Sequence, residues 1–83
     1  MVNKIVIFPS YNFAVKRDNS EKRLLLYSYV DGNINYSSEG LLLEVNKEVF
    51  QKIETEMNIK LEDYGVVLKE DVETFSEVFH EEN

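Results

Sequence analysis

The chain has 83 residues, 43% of them hydrophobic, with a net charge of −7 and no cysteine. That length makes one domain (residues 1–83), near the lower limit for folding without staples, so most apolar side chains must serve a core and few remain to line a substrate cavity. The missing cysteines exclude a disulfide framework, a thiolate nucleophile and the usual thiolate zinc site.

Ile5-Val-Ile-Phe8 is a run of β-formers ended by Pro9, suited to a strand buried on both faces or tucked into a sheet. Its four apolar residues are too few for a signal-peptide core, and no run approaches the roughly 18 that a spanning helix needs. The expectation is a soluble cytoplasmic protein with no membrane partner. Tyr11 to Lys16 alternates, with Phe13 and Val15 on one side, and predicts a second strand paired to the first through Pro9-Ser10. Residues 17–22 are polar with turn-formers in the middle and predict a loop.

The clearest signal follows. Arg23-Leu-Leu-Leu-Tyr-Ser-Tyr-Val30 and Asn33-Ile-Asn-Tyr-Ser37 flank Asp31-Gly32, a favoured two-residue hairpin loop because both positions must tolerate φ > 0. With that loop Val30 faces Asn33, Tyr29 faces Ile34 and Tyr27 faces Tyr36. One face then carries Leu25, Tyr27, Tyr29, Ile34 and Tyr36, and the expectation is that this tyrosine face is core. The other carries Leu24, Leu26, Ser28 and Val30, with Asn33 and Asn35 near the turn.

Glu39-Gly40 is expected to break the chain. Leu41-Leu-Leu-Glu-Val45 reads as a strand stopping at Asn46, in preference to a helix begun at Ser37 or Ser38, because Asn caps helices well and Gly40 would weaken one. Val49, Phe50, Ile53 and Met57 then recur at helical spacing opposite Glu48, Lys52, Glu54 and Glu56, with Asn58 as the end. Gly65 to Lys69 predicts a short buried strand. Asp71 is expected to cap a last helix with a stripe of Val72, Phe75, Val78 and Phe79. The fold class is α+β: a small, mainly antiparallel sheet of about 4–6 short strands around a central hairpin 23–37, with amphipathic helices at about 47–57 and 72–80 on one face.

Charge is distributed unevenly. Residues 1–23 hold five basic and two acidic side chains, whereas residues 24–83 hold four basic and fourteen acidic. Such a field repels nucleic acid and anionic membrane over most of the surface and attracts a basic partner. From Glu62 onward there are eight carboxylates and one lysine, and Glu73, Glu77 and Glu81 recur every four residues opposite the apolar stripe. Like charges at that spacing cost an isolated helix a few tenths of a kcal/mol per pair. The plainer reading is a solvated outer face, with Glu70 and Asp71 favoured at a helix N-terminus. The functional reading is a row of carboxylates that imitates phosphate charge and docks on Arg/Lys clusters.

Other constellations fail on chemistry. Asp31, Asn33 and Asn35 resemble the opening of a calcium loop, but Tyr36 stands where glycine is needed and Leu42 where a bidentate Glu belongs. His80 is the one histidine, near the chain end among glutamates, a poor place to hold catalytic geometry. Lys16, Arg17, Lys22 and Arg23 lie near Tyr11 and Phe13, as in single-strand binders, yet Asp18 and Glu21 sit among them. Nucleic acid is therefore disfavoured.

The expectation is a small non-enzymatic module without cofactor or metal, binding a protein with a basic surface through Glu62, Asp63, Glu70, Glu73, Glu77 and Glu81. Asn, Lys, Ile, Phe and Tyr far outnumber Ala, Gly, Pro and Arg, a bias of AT-rich genomes. A phage or mobile-element inhibitor in a low-GC bacterium, blocking a nucleic-acid-handling protein, is the sharp form of this expectation. The alternative is a homodimer or larger homo-oligomer joined through Leu41-Leu-Leu43, the tyrosine face or a strand edge.

Overall fold

The computed structural model describes residues 4–18 and 20–71. Four strands form an antiparallel meander in the order β1 (Ile5–Phe8), β2 (Phe13–Asp18), β3 (Arg23–Val30) and β4 (Asn33–Leu41). A second, two-stranded parallel sheet joins β5 (Glu44–Val45) to β6 (Val67–Leu68) across the single long helix of the described residues, α1 (Lys47–Met57). This is a small α+β fold, as the sequence pattern predicts. The predicted helix at 72–80 lies outside the described residues.

Helix α1 forms where its local signals place it. The Asn46 carboxamide oxygen accepts from the Val49 N–H at 2.9 Å, satisfying one of the otherwise unpaired amides of the first turn. Asn58 ends the helix in the left-handed conformation, which asparagine tolerates better than most residues. Val49, Ile53 and Met57 are buried against Val6, Phe8, Val15 and Leu24 of the sheet, while Leu42, Val45, Leu61 and Val66 complete the cluster.

The Asp31-Gly32 turn also forms as expected, with φ of 52° and 79°, and sets Val30 opposite Asn33 and Tyr29 opposite Ile34. Beyond Ser28 and Asn35 the register changes. Tyr27 alone separates Ser28 from Leu26, yet Tyr36 to Glu39 separate their partners Asn35 and Gly40. This β-bulge is built by polar side chains. Asn35 Oδ1 accepts from the Ser37 N–H at 3.2 Å and from its hydroxyl at 2.6 Å. Ser38 Oγ accepts from the Ser28 N–H at 2.8 Å and donates to the Asn35 carbonyl at 2.6 Å. Gly40 lies within β4 opposite Leu26, so the expected break at Glu39-Gly40 is instead a bulged strand that continues.

The face assignment of the hairpin is corrected too. Leu24, not the tyrosine row, belongs to the core, with Leu26 packed against it. The reason is the β2–β3 register, which sets Val15 opposite Leu26 and therefore Leu24 and Leu26 on the helix side with Val6 and Val15. Tyr27 is still buried, at 4% exposure, because Tyr36 folds edge-on against it at 5.2 Å and Glu39 accepts its hydroxyl at 2.7 Å. Tyr36 itself is 56% exposed.

Three boundaries move. Arg17 and Asp18, expected in a loop, extend β2 opposite Leu24 and Arg23, with Asp18 bound to Arg23 at 3.0 Å. The strand expected over residues 65–69 shrinks to Val67–Leu68, which finds only the two residues of β5 to pair with. Helical backbone is already present at 69–71, so Asp71 lies inside it and is not its cap.

Candidate partner-binding surface

The described part of the acidic region is a one-turn 3-10 helix at Leu61–Tyr64. Leu61 is fully buried and anchors it to the core, while the Glu54 carboxylate on α1 accepts the Leu61 N–H at 2.9 Å. Gly65 closes the turn with φ of 74°, its N–H donating to the Glu62 carbonyl at 3.3 Å, and the Val66 N–H returns to the Leu61 carbonyl at 3.1 Å. Glycine suits this left-handed position because it carries no Cβ to clash. The outcome is a rigid knuckle whose buried side is Leu61 and whose exposed side is Glu62-Asp63.

Five other described carboxylates, Asp18, Glu39, Glu48, Glu54 and Glu56, are engaged within the fold. Glu48 accepts the Tyr11 hydroxyl at 3.0 Å, Glu39 that of Tyr27, and Glu54 the Leu61 amide. Glu56 lies 3.5 Å from Lys4 and 3.9 Å from Lys52. Two hydrogen bonds from Ser20 and Arg23 hold the Asp18 carboxyl below the usual aspartate range, the serine contribution being the larger. Glu62 and Asp63 differ from these: among the described residues neither side chain has a hydrogen-bond or ion-pair partner, which holds also for Glu21, Asp31, Glu44 and Asp71.

Glu70 is exposed in the helical backbone at 69–71, downstream of the knuckle. Glu73, Glu77 and Glu81 lie outside the described residues, so only Glu62, Asp63 and Glu70 of the predicted surface are positioned. The basic group is split: Arg23 is tied to Asp18, while Lys22 lines a shallow hollow with Asn58, Ile59, Lys60, Asp63 and Tyr64. Among the described residues no three His, Cys, Asp or Glu side chains stand together as metal ligands would. No described helix is long and apolar enough to cross a membrane.

In the sequence Leu41-Leu-Leu43 reads as one unit, and the structure separates it. Leu42 is in the core, whereas Leu41 and Leu43 are 47% and 58% exposed and Val67 is 47% exposed. The alternation of a short extended segment carries this signal, one residue in and its neighbours out. The chain matches no family model, no curated protein and no solved structure. The surface just described therefore stands on its own geometry.

Proposed function

We propose that this chain is a small, non-enzymatic protein-binding module that docks on a basic protein surface through its acidic C-terminal third. The carrying observation is the Glu62-Asp63 pair, held outward on a turn anchored by Leu61, while Glu39, Glu48, Glu54 and Glu56 are engaged inside the fold. Two unpaired charges on a rigid mount lose little conformational freedom when a cation meets them. A second amphipathic helix over residues 72–80 would add Glu73, Glu77 and Glu81 to the same surface. The sharp form is a phage or mobile-element inhibitor of a nucleic-acid-handling protein in the cytoplasm of a low-GC bacterium. The excess of amino acids with AT-rich codons supports that origin.

The test is affinity capture from such a lysate, eluted with rising salt, followed by titration of the captured protein against the double variant Glu62→Lys/Asp63→Lys. Affinity should fall at least tenfold, and the salt dependence should flatten with it. Unchanged affinity refutes the acidic surface.

A second reading, homo-oligomerisation, draws on one specific feature: β4 is nine residues long, lies at the end of the sheet and is exposed along nearly its whole length. Salt separates the two readings. Strand-edge association persists as ionic strength rises, and docking by carboxylates does not.

A further inference from the structure

The four-stranded sheet has two apolar faces, and α1 covers one of them. Val6, Phe8, Val15 and Leu24 meet the helix in the core. Alternation along the strands therefore puts Ile7, Leu25, Tyr27, Tyr29, Ile34 and Leu41 on the opposite face, where Leu25 pairs with Leu41 and Tyr29 with Ile34. Tyr27 is buried there under Tyr36, while Tyr36 and Leu41 are exposed. An antiparallel sheet with a solvated face ordinarily carries polar residues on it. This face carries an apolar patch of the kind that marks an interaction site.

The charges on the face are few and balanced. Asp18 and Arg23 are bonded to each other at 3.0 Å. Lys16 and Glu39 line a hollow of about 430 Å³ together with Leu25 and Tyr27. Lys16 belongs to β2 and Glu39 to β4, so the hollow straddles β3. Two cations and two carboxylates leave the face neutral on a chain of net charge −7. A nucleic acid meets no net positive charge here, and a basic protein no net negative charge.

We propose that this face receives a second copy of the chain, packed sheet on sheet about a two-fold axis along β3. Self-complementarity selects this occupant. The axis carries β2 of one copy onto β4 of the other, so Lys16 faces the partner's Glu39 and Glu39 faces the partner's Lys16. Leu25 and Tyr29, on the axis, meet their own counterparts, with the strands of the two sheets nearly aligned. Two chains of this net charge repel, and a neutral face is where the repulsion is least. Three strands at about 4.8 Å spacing and eight residues at about 3.3 Å each give roughly 400 Å² per copy. A total of about 800 Å² is below that of ordinary stable complexes, so the dimer is weak, with a Kd on the order of 100 μM. It rests on the self-association reading given above, with the sheet face in place of the β4 edge.

Sedimentation equilibrium of the full chain, from about 10 μM to about 1 mM, should show a reversible monomer–dimer equilibrium. A chain that stays monomeric throughout overturns both the face and the self-association reading. The deciding arm uses two variants. Lys16→Glu sets glutamates against each other across the axis, and Glu39→Lys sets lysines, so each alone should dimerise at least about tenfold more weakly. An equal mixture of the two pairs opposite charges and should recover the parent's affinity. Variants that dimerise as the parent does, or a mixture that does not recover, overturn the two-fold across β3. Should Glu39→Lys fail to fold, contacts between labelled and unlabelled parent copies decide by nuclear Overhauser spectroscopy. Leu25 or Ile34 methyls touching Tyr29 of the other copy support the face. Contacts confined to the β4 edge overturn it and leave the edge reading standing.

Discussion

The sheet has two outer strands, and they are guarded by different means. β1 is four residues long and lies beside α1, whose Lys52 donates to the Ile7 carbonyl at 3.2 Å and sits over the Phe8 ring at 4.9 Å. β4 is nine residues long, and no described strand lies beyond it. Its guard is internal: Asn35, Ser37 and Ser38 bond to the local backbone and throw four residues out against one. Open strand edges invite pairing with other chains, and both a lysine at the edge and a bulge reduce that tendency. A short edge beside a helix can borrow a side chain from it. A long edge beyond the helix's reach must be interrupted from within.

The largest effect on this contrast should come from Ser38→Val. Valine is one heavy atom larger and favours strands, and it removes both bonds that clamp the bulge to Ser28 and Asn35. The expected cost is about 1–2 kcal/mol of stability, read as a lower urea midpoint. Concentration-dependent association on a sizing column should accompany it as the edge straightens.

Tyr27 comes next, because it is buried under the same bulge. Burial first, and then the hydrogen bond and charge of Glu39, push its phenol up to about 12. A group whose folded pKa is raised binds its proton more tightly in the native state. Its contribution is therefore complete below the unfolded value near 10 and is lost as pH rises through about 12. Urea midpoints should fall over that window. Tyr27→Phe should flatten the fall, at a cost of about 1 kcal/mol at neutral pH for the lost hydrogen bond.

The smallest stability effect belongs to Lys52→Met. The bond to the Ile7 carbonyl, the ammonium over the Phe8 ring and an exposed ion pair with Glu56 disappear. The methionine sulfur can lie against the same ring and offset part of the loss, leaving about 0.5 kcal/mol. If β1 needs its lysine as a guard, this variant should associate more readily than the parent at equal stability. A fully monomeric variant would show that length alone protects this edge.

The acidic surface was legible only in part. The run of carboxylates after residue 61 is plain in the sequence, and Glu62-Asp63 is exposed where the charge pattern puts it. What orients the pair is Leu61, a single apolar residue in a polar stretch, and one residue has no periodicity to read. Its amide is held by Glu54, seven positions earlier. Charge alone also could not separate the carboxylates that brace the fold, such as Glu39 and Glu48, from those left unpaired. That distinction depends on partners 12 and 37 residues away in the chain.

The sequence by itself determined what short-range forces decide. Asn46, the apolar stripe and Asn58 bound α1 at Lys47–Met57, and Asp31-Gly32 fixes the hairpin turn, because caps and positive-φ positions act within a few residues. Only the tertiary structure decided which face of β3 is core, where β4 slips its register and how Val67–Leu68 finds Glu44–Val45. Each of these is a choice among pairings of similar local preference. It is settled by which apolar side chains can share one helix, and that contact joins segments far apart in the chain.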